Sequence, residues 1–377
     1  MAFELIFFAV VILLYSFLMV KAIYGLILLS KQSLQEVDLT AFPFISIIVS
    51  IRNERNNAEE FVKQIEKQTY PKQHFELIVI DDASTDFSFE AFDAILKKTE
   101  ITFILKKQSS HKGKKTNISE AIKSAEGTII VTTDADVIYR DKNWVQCIAF
   151  EFQKKETNML IMPIDFCEEH HALAIFQATE NMALTAIAAG YVALQNPFLC
   201  NGANLAFTKK AFEKVNGYAS HISISSGEDV FLLEDLKSLG AHFIRYANRA
   251  ECIVKTKPMT IMSDFFQQRL RWAAKSTQNP NSLNALMGGV VLFANMILIV
   301  FVFALIRNNT DLYYLGIFAF IKLMFDFLLL FLASTFVGKK KYLAFLMPFE
   351  CVYWIYAVVV ALGALFFKPY WKGIKIN

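Results

Sequence analysis

The stretch Gly127-Thr-Ile-Ile-Val-Thr-Thr-Asp-Ala-Asp136 runs a short β-branched segment straight into two carboxylates. An apolar run of this length, opened by glycine and rich in β-branched residues, reads as a strand buried on both faces. Three similar runs precede it: Ile45-Ser-Ile-Ile-Val-Ser50, Phe75-Glu-Leu-Ile-Val-Ile80 and residues 101–105. Helical spacing fills the gaps. Over residues 57–68, Ala58, Phe61, Val62 and Ile65 share one face, and residues 117–125 follow the same period. Strands alternating with helices predict an α/β fold with a doubly wound, mostly parallel sheet. Such sheets bind ligands beyond the carboxyl ends of their strands.

The segments at those ends are polar and acidic. Ser50-Ile-Arg-Asn-Glu54 follows the first strand, Asp81-Asp-Ala-Ser-Thr-Asp86 the second, and Asp134-Ala-Asp136 ends the fourth. Neither the dinucleotide fingerprint G-x-G-x-x-G nor the P-loop is present. Clustered carboxylates repel one another unless a cation or hydrogen-bond donors compensate. Asp-x-Asp at a strand end suits Mg²⁺ or Mn²⁺ bridging to a diphosphate, because hard cations take oxygen ligands. Read singly, Asp82 and Asp86 serve equally well as helix caps, and Asp134 and Asp136 as turn formers. Three further motifs follow in order: Cys200-Asn-Gly-Ala-Asn204, Ser226-Gly-Glu-Asp229 and Gln268-Arg-Leu-Arg-Trp272. In the second, adjacent carboxylates fall at an expected helix start, where the helix dipole favours their ionised form.

Composition sets the context. Of 377 residues, 55% are hydrophobic and 19% charged, with 36 Phe, against about 45–50% and about 25% in soluble domains. The excess is concentrated at the two ends. Residues 3–29, 283–306, 312–337 and 342–367 are each long enough to cross a bilayer, which takes about 20 residues. The expected organisation is an anchor at 1–31, a central domain at 32–281, and about three transmembrane helices at 282–377. The first run is too long, and lacks the basic start, for a cleaved signal peptide. A net charge of +3 does not suggest nucleic acid. The five cysteines show no zinc spacing and read as reduced, buried residues.

Basic residues near span ends set orientation. Lys21 and Lys31, then Arg269, Arg271 and Lys275, then Lys339, Lys340 and Lys341 fall on one side of a four-crossing chain. That predicts a multi-pass protein of the cell (inner) membrane with its central domain in the cytoplasm. The tail lysines Lys368, Lys372 and Lys375 then lie on the other side, against the rule. Residues 172–194 are also apolar and suit either an interfacial helix or one buried against the sheet. Lys322 and Asp326, at i and i+4 inside the third run, can neutralise each other, and Glu350 raises the same question in the fourth.

Taken in order, Asp81-Asp82, Asp134-Ala-Asp136, Glu228-Asp229 and Gln-x-x-Arg-Trp, followed by membrane spans, resemble the membrane-bound branch of glycosyltransferase family 2. That branch holds ceramide glucosyltransferase and the cellulose, hyaluronan and poly-N-acetylglucosamine synthases. The resemblance implies a GT-A-like fold and inverting transfer of a sugar from a nucleotide-diphosphate sugar, a UDP-sugar by preference. The acceptor it implies is a membrane lipid, a lipid-linked molecule or a glycan. It makes Asp229 the general base with Glu228 beside it, and puts Mg²⁺ or Mn²⁺ on Asp136 and Asp134. Ser50, Arg52, Glu54, Asp81, Asp82, Lys114, Asp134, Gln268 and Arg271 would bind the nucleotide sugar; Gly202, Asn204 and Trp272 would border the acceptor. Ala83 and Lys115 depart from the family pattern, which more often has glycine at the first and a small residue at the second. Blander roles stand beside these: a solvated basic turn for residues 112–115, a lipid-headgroup contact for Arg269, an interfacial anchor for Trp272. A processive polysaccharide synthase is the alternative within the family. An inactive membrane-anchored subunit that binds sugar nucleotides is the alternative outside it.

Overall fold

The computed structural model describes residues 2–32, 39, 41–154, 156–167, 170–222, 227–278, 282–307, 312–367, 370–371 and 374–375. The chain divides into two compact units. One comprises Gln32–Cys167 and Gln195–Lys257; the other comprises Met1–Lys31, Glu168–Leu194 and Pro258–Asn377.

Among the described residues, the first unit is built on ten strands. These are β1 (Ile45–Ile51), β2 (Phe75–Asp81), β3 (Thr102–Lys107), β4 (Ile129–Thr133) and β5 (Ile138–Tyr139), then β6 (Met159–Ile161), β7 (Ile164–Phe166), β8 (Asn204–Thr208), β9 (Ile244–Tyr246) and β10 (Val254–Thr256). Seven form one sheet in the order β3-β2-β1-β4-β8-β6-β9. β1 runs parallel to both β2 and β4, with Ile45 opposite Phe75 on one side and Ile129 on the other. β8 is antiparallel to both its neighbours, so the sheet is mixed, with a parallel half at β3-β2-β1-β4. Strands β1, β2 and β4 are buried along almost their whole length. That burial on both faces accounts for their continuous rather than alternating apolar pattern. Around the sheet lie α2 (Ala58–Glu66), α3 (Ser88–Leu96), α4 (Lys114–Ser124), α5 (Trp144–Lys154), α7 (Lys209–Lys214) and α8 (Glu228–Lys237). Phe61, Phe92, Trp144, Ile47 and Leu77 are among the side chains of the core.

The parallel connections bring the carboxyl ends of β1, β2 and β4 to one edge. Residues 50–54, 81–86 and 134–136 therefore come together there, as expected of a doubly wound sheet.

The second unit holds α1 (Ala2–Ser30), α6 (Ala172–Ala193), α9 (Met262–Gln278), α10 (Ser282–Ile306), α11 (Leu312–Val337) and α12 (Leu346–Phe366). Residues 168–194 and 258–281, expected within the central domain, group instead with these helices. Among the described residues, five helices are long and apolar enough to cross a membrane, α6 among them. Connectivity argues against a single crossing by α6. The strand pair β4–β8, with Ile129 opposite Thr208 and Thr133 opposite Asn204, is formed by segments before and after it. A helix that crossed once would leave those partners on opposite sides of the bilayer. α6 instead packs on α1 at very close range. A Cβ built on Gly25 would lie 2.0 Å from the Gly190 carbonyl oxygen, and one on Gly190 2.2 Å from that of Ala22. Small residues that let helix backbones touch are the usual device for packing apolar helices.

Candidate functional site

Lys114 is the hub of the acidic edge. It opens α4 directly after Gly113, whose φ of +85° turns the chain into the helix. Its Nζ lies 2.7 Å from Asp134 Oδ1, just beyond β4, and 3.2 Å from Glu228 Oε1, in the first turn of α8. Burial by itself would lower the Lys114 ammonium. Asp134, Glu228 and Asp229 outweigh burial and hold it well above its ordinary value. Beside it, Asp229 Oδ2 accepts a hydrogen bond from the Gly202 amide at 3.1 Å, and Oδ1 one from Val230 N at 2.9 Å. Glu228 and Asp229 are both buried and both stand at the positive end of α8.

Gly202 is there for space. A Cβ at that position would sit 3.2 Å from Glu228 Oε1 and 3.6 Å from Lys114 Nζ. The same loop holds Asn204, expected at the acceptor. It is fully buried, and its amide is engaged inside the fold. Nδ2 donates to the Pro163 and Cys252 carbonyls at 2.8 and 2.9 Å, while Oδ1 accepts from Trp144 Nε1 at 3.1 Å. Asn204 thus fixes the loop from inside the fold.

The Asp81-Asp82 pair divides its work. Asp82 accepts from Lys112 N at 2.8 Å and Gly113 N at 3.2 Å, and pairs with His111 Nδ1 at 2.5 Å. Those bonds pin the loop that delivers Lys114. Asp81 is fully buried, and its Oδ1 accepts from the Ser84 amide and hydroxyl. Its Oδ2 has no hydrogen-bond partner among the described residues. Burial raises the Asp81 carboxyl above the ordinary aspartate range, with the Ser84 bonds opposing. A buried acceptor without a donor is costly to the fold alone and suits a donor brought by a ligand. Ser50 Oγ accepts from Asn117 Nδ2 at 3.0 Å, Arg52 Nη1 donates to the Asp82 and Ala83 carbonyls, and Glu54 Oε2 accepts from Asn57 Nδ2 at 2.6 Å. Arg52 therefore ties the end of β1 to the loop after β2, Ser50 ties β1 to α4, and Glu54 braces its own turn. Ala83 sits in the left-handed region, with φ of +56°. This gives a backbone reason for glycine to suit the position.

Asp134 and Asp136 flank the buried Ala135, and both are open to solvent, Asp136 more so. Among the described residues no group of three or more His, Cys, Asp or Glu side chains could hold a metal. Two solvent-reachable carboxylates still fit Mg²⁺ or Mn²⁺. Mg²⁺ in particular is usually held by one or two protein carboxylates and completes its shell with water and phosphate oxygens.

Gln268, Arg271 and Trp272 stand on α9, in the helical unit. Their neighbour Arg269 is buried and not a headgroup contact. Its Nη2 lies 2.6 Å from Glu180, and its guanidinium stacks 4.3 Å from the Trp272 ring and 4.6 Å from that of Phe265. Tyr356 also donates to Glu180 at 2.7 Å. No sequence signal marked Glu180 or Tyr356, because their partners are remote in the chain. His171 caps the start of α6, its Nδ1 accepting from Ala174 N at 3.2 Å.

A half-parallel mixed sheet with acidic loops at its carboxyl edge is the GT-A-like arrangement. A mannosyltransferase from Pyrobaculum calidifontis, solved with GDP-Man and Mn²⁺, shares this fold, with a TM-score of 0.56 at 16% identity over 95% of this chain and 99% of its own. Residues 46–215 match the model of Glycosyl transferase family 2, so the chain carries a glycosyltransferase family 2 domain. Curated relatives are similar over shorter stretches. The poly(ribitol-phosphate) beta-glucosyltransferase of Bacillus spizizenii is 32% identical over 92 residues, 24% of this chain and 14% of that protein. The beta-monoglucosyldiacylglycerol synthase of a Nostoc species is 26% identical over 113 residues, 30% of this chain and 24% of that one. The chain thus spans less than a third of the length of either.

Proposed function

We propose that this protein is an inverting, metal-dependent glycosyltransferase of the cell (inner) membrane, its sheet unit facing the cytoplasm. It would move a sugar from a nucleotide-diphosphate sugar to a membrane lipid or lipid-linked acceptor. The observation that carries this reading is the meeting of Lys114, Asp134, Glu228 and Asp229, from three separate motifs, at the ligand-binding edge of a family 2 domain.

In this reading Asp229 is the base. It takes the proton of the acceptor hydroxyl as that oxygen bonds to the anomeric carbon and the bond to the diphosphate breaks. The Gly202 amide orients the Asp229 carboxylate for this role. Asp134 and Asp136 would hold the cation, which neutralises charge on the departing diphosphate. Lys114 supplies further positive charge on the same side, and Asp81 Oδ2 is free to accept from a nucleobase N–H. Gln268 and Arg271 would bind the diphosphate, and Trp272 and Gly202 would border the acceptor. A lipid acceptor is favoured over a polymer because the apolar unit supplies few crossing helices, and because one relative is named for a glycolipid product.

The test is to incubate the full-length protein in membranes with a panel of radiolabelled nucleotide sugars and to separate lipid-soluble from polymeric product. Label should appear in the lipid fraction, and Asp229→Asn should reduce it by about 10²–10⁴-fold. Undiminished transfer by that variant would remove Asp229 as the base; label solely in polymer would overturn the acceptor.

A further inference from the structure

The helical unit holds a partly open cavity of about 140 Å³ lined in part by a buried polar cluster. Its wall is largely apolar, with Met19, Phe176, Ile187 and Leu329 among its members, but it also carries Asn295, Lys322, Asp326 and Glu350. Lys322 is 2% exposed, and its Nζ lies 2.8 Å from Asp326 and 2.5 Å from Glu350. Tyr15 donates to the other Asp326 oxygen. The third carboxylate at the cavity, Glu180, is already matched by Arg269 at 2.6 Å. One cation therefore faces two carboxylates. Asn295 adds an unsatisfied acceptor. It is 1% exposed, its Nδ2 donates to the Val291 carbonyl at 2.8 Å, and its Oδ1 has no hydrogen-bond partner among the described residues.

We propose that this cavity binds the neutral, hydroxyl-bearing headgroup of a membrane lipid, with Asn295, Lys322, Asp326 and Glu350 as its polar wall. Buried polar groups in apolar helices are costly and belong at functional places. A hydroxyl both donates and accepts. It can donate its one proton to Asn295 Oδ1 while receiving a bond from Lys322. An anionic headgroup is excluded by the surplus carboxylate. The volume matches the occupant, since a cavity of about 150 Å³ admits a six-membered ring, and the apolar wall suits the start of the acyl chains. The inference rests on the cavity itself and stands whether or not the proposed sugar transfer is correct.

Native mass spectrometry of the full-length protein in detergent tests it, with dioctanoylglycerol, its monoglucosyl derivative and dioctanoyl phosphatidic acid as probes. One neutral lipid should be retained per chain, and phosphatidic acid held at least tenfold less. Asn295→Leu should lower retention of the neutral lipid about tenfold. Leu184→Trp, which fills the cavity from α6, should lower it with the protein still folded by its thermal transition. Equal retention of phosphatidic acid, or unchanged retention in both variants, would overturn the proposal. Displacement of the lipid by millimolar free glycerol or glucose would assign the site to soluble polyols and overturn the lipid as its occupant.

Discussion

Lys114 and Glu228, remote in sequence, meet at 3.2 Å between Nζ and Oε1, with Asp134 2.7 Å from the same nitrogen. One ammonium thus holds together carboxylates from the ends of two different elements. Replacing Lys114 with Met should raise the KM for the nucleotide sugar about 10- to 100-fold, the worth of one charge-assisted contact. The pH behaviour follows from the sign of the shift. A lysine raised above its ordinary value contributes stability that is complete below that value and is lost only as pH climbs through the raised one. Thermal melts should therefore show the same penalty for Lys114→Met at pH 6 and pH 9. A penalty that faded across that range would mean that the lysine is not held charged by its carboxylates.

Chelation should abolish transfer, and Mn²⁺ or Mg²⁺ should restore it. Asp136→Asn should raise the metal concentration needed for half-maximal rate by at least tenfold while leaving the fold intact by circular dichroism. Full activity in excess chelator would rule the cation out.

Ala83 occupies the left-handed region at φ +56°. That costs an L-residue about 1–2 kcal/mol, part of which glycine returns through the entropy of its unfolded chain. Ala83→Gly should stabilise the protein by about 0.5–1 kcal/mol in denaturant melts. A loss of stability would show that the alanine methyl makes a contact worth more than the backbone strain.

At the α1–α6 crossing there is no room for a single methyl group, with a Cβ on Gly25 falling 2.0 Å from the Gly190 oxygen. Gly25→Ala should cost about 1–3 kcal/mol, read as a lower melting temperature in detergent. Gly288→Ala, on α10 where a Cβ would meet nothing within 4 Å, is the control and should leave the melting temperature near wild type.

The parallel half of the sheet and its acidic edge were legible because β-branched runs end abruptly in carboxylates at residues 81–86 and 134–136. Most of the remaining strands were not. Strands β6, β7, β9 and β10 are three residues long, too short for any period to show. Asn204 read as a site residue by its motif, whereas its burial and three internal bonds depend on partners remote in the chain. The Lys322–Asp326 pair was readable from its i, i+4 spacing, whereas Glu350 as their common partner depends on how α11 and α12 pack.

The chain position of α6, after β7 and before β8, has a consequence for biosynthesis. Strand β8 joins β4 to the rest of the sheet, so a nascent chain completes its sheet only after an apolar helix of 22 residues has left the ribosome. That helix finds its glycine-to-glycine partner in α1, which is made first. A fragment trimmed of its N-terminal helix to gain solubility would keep α6 and lose its mate. It should therefore aggregate or cling to detergent, which makes the intact chain the form to purify.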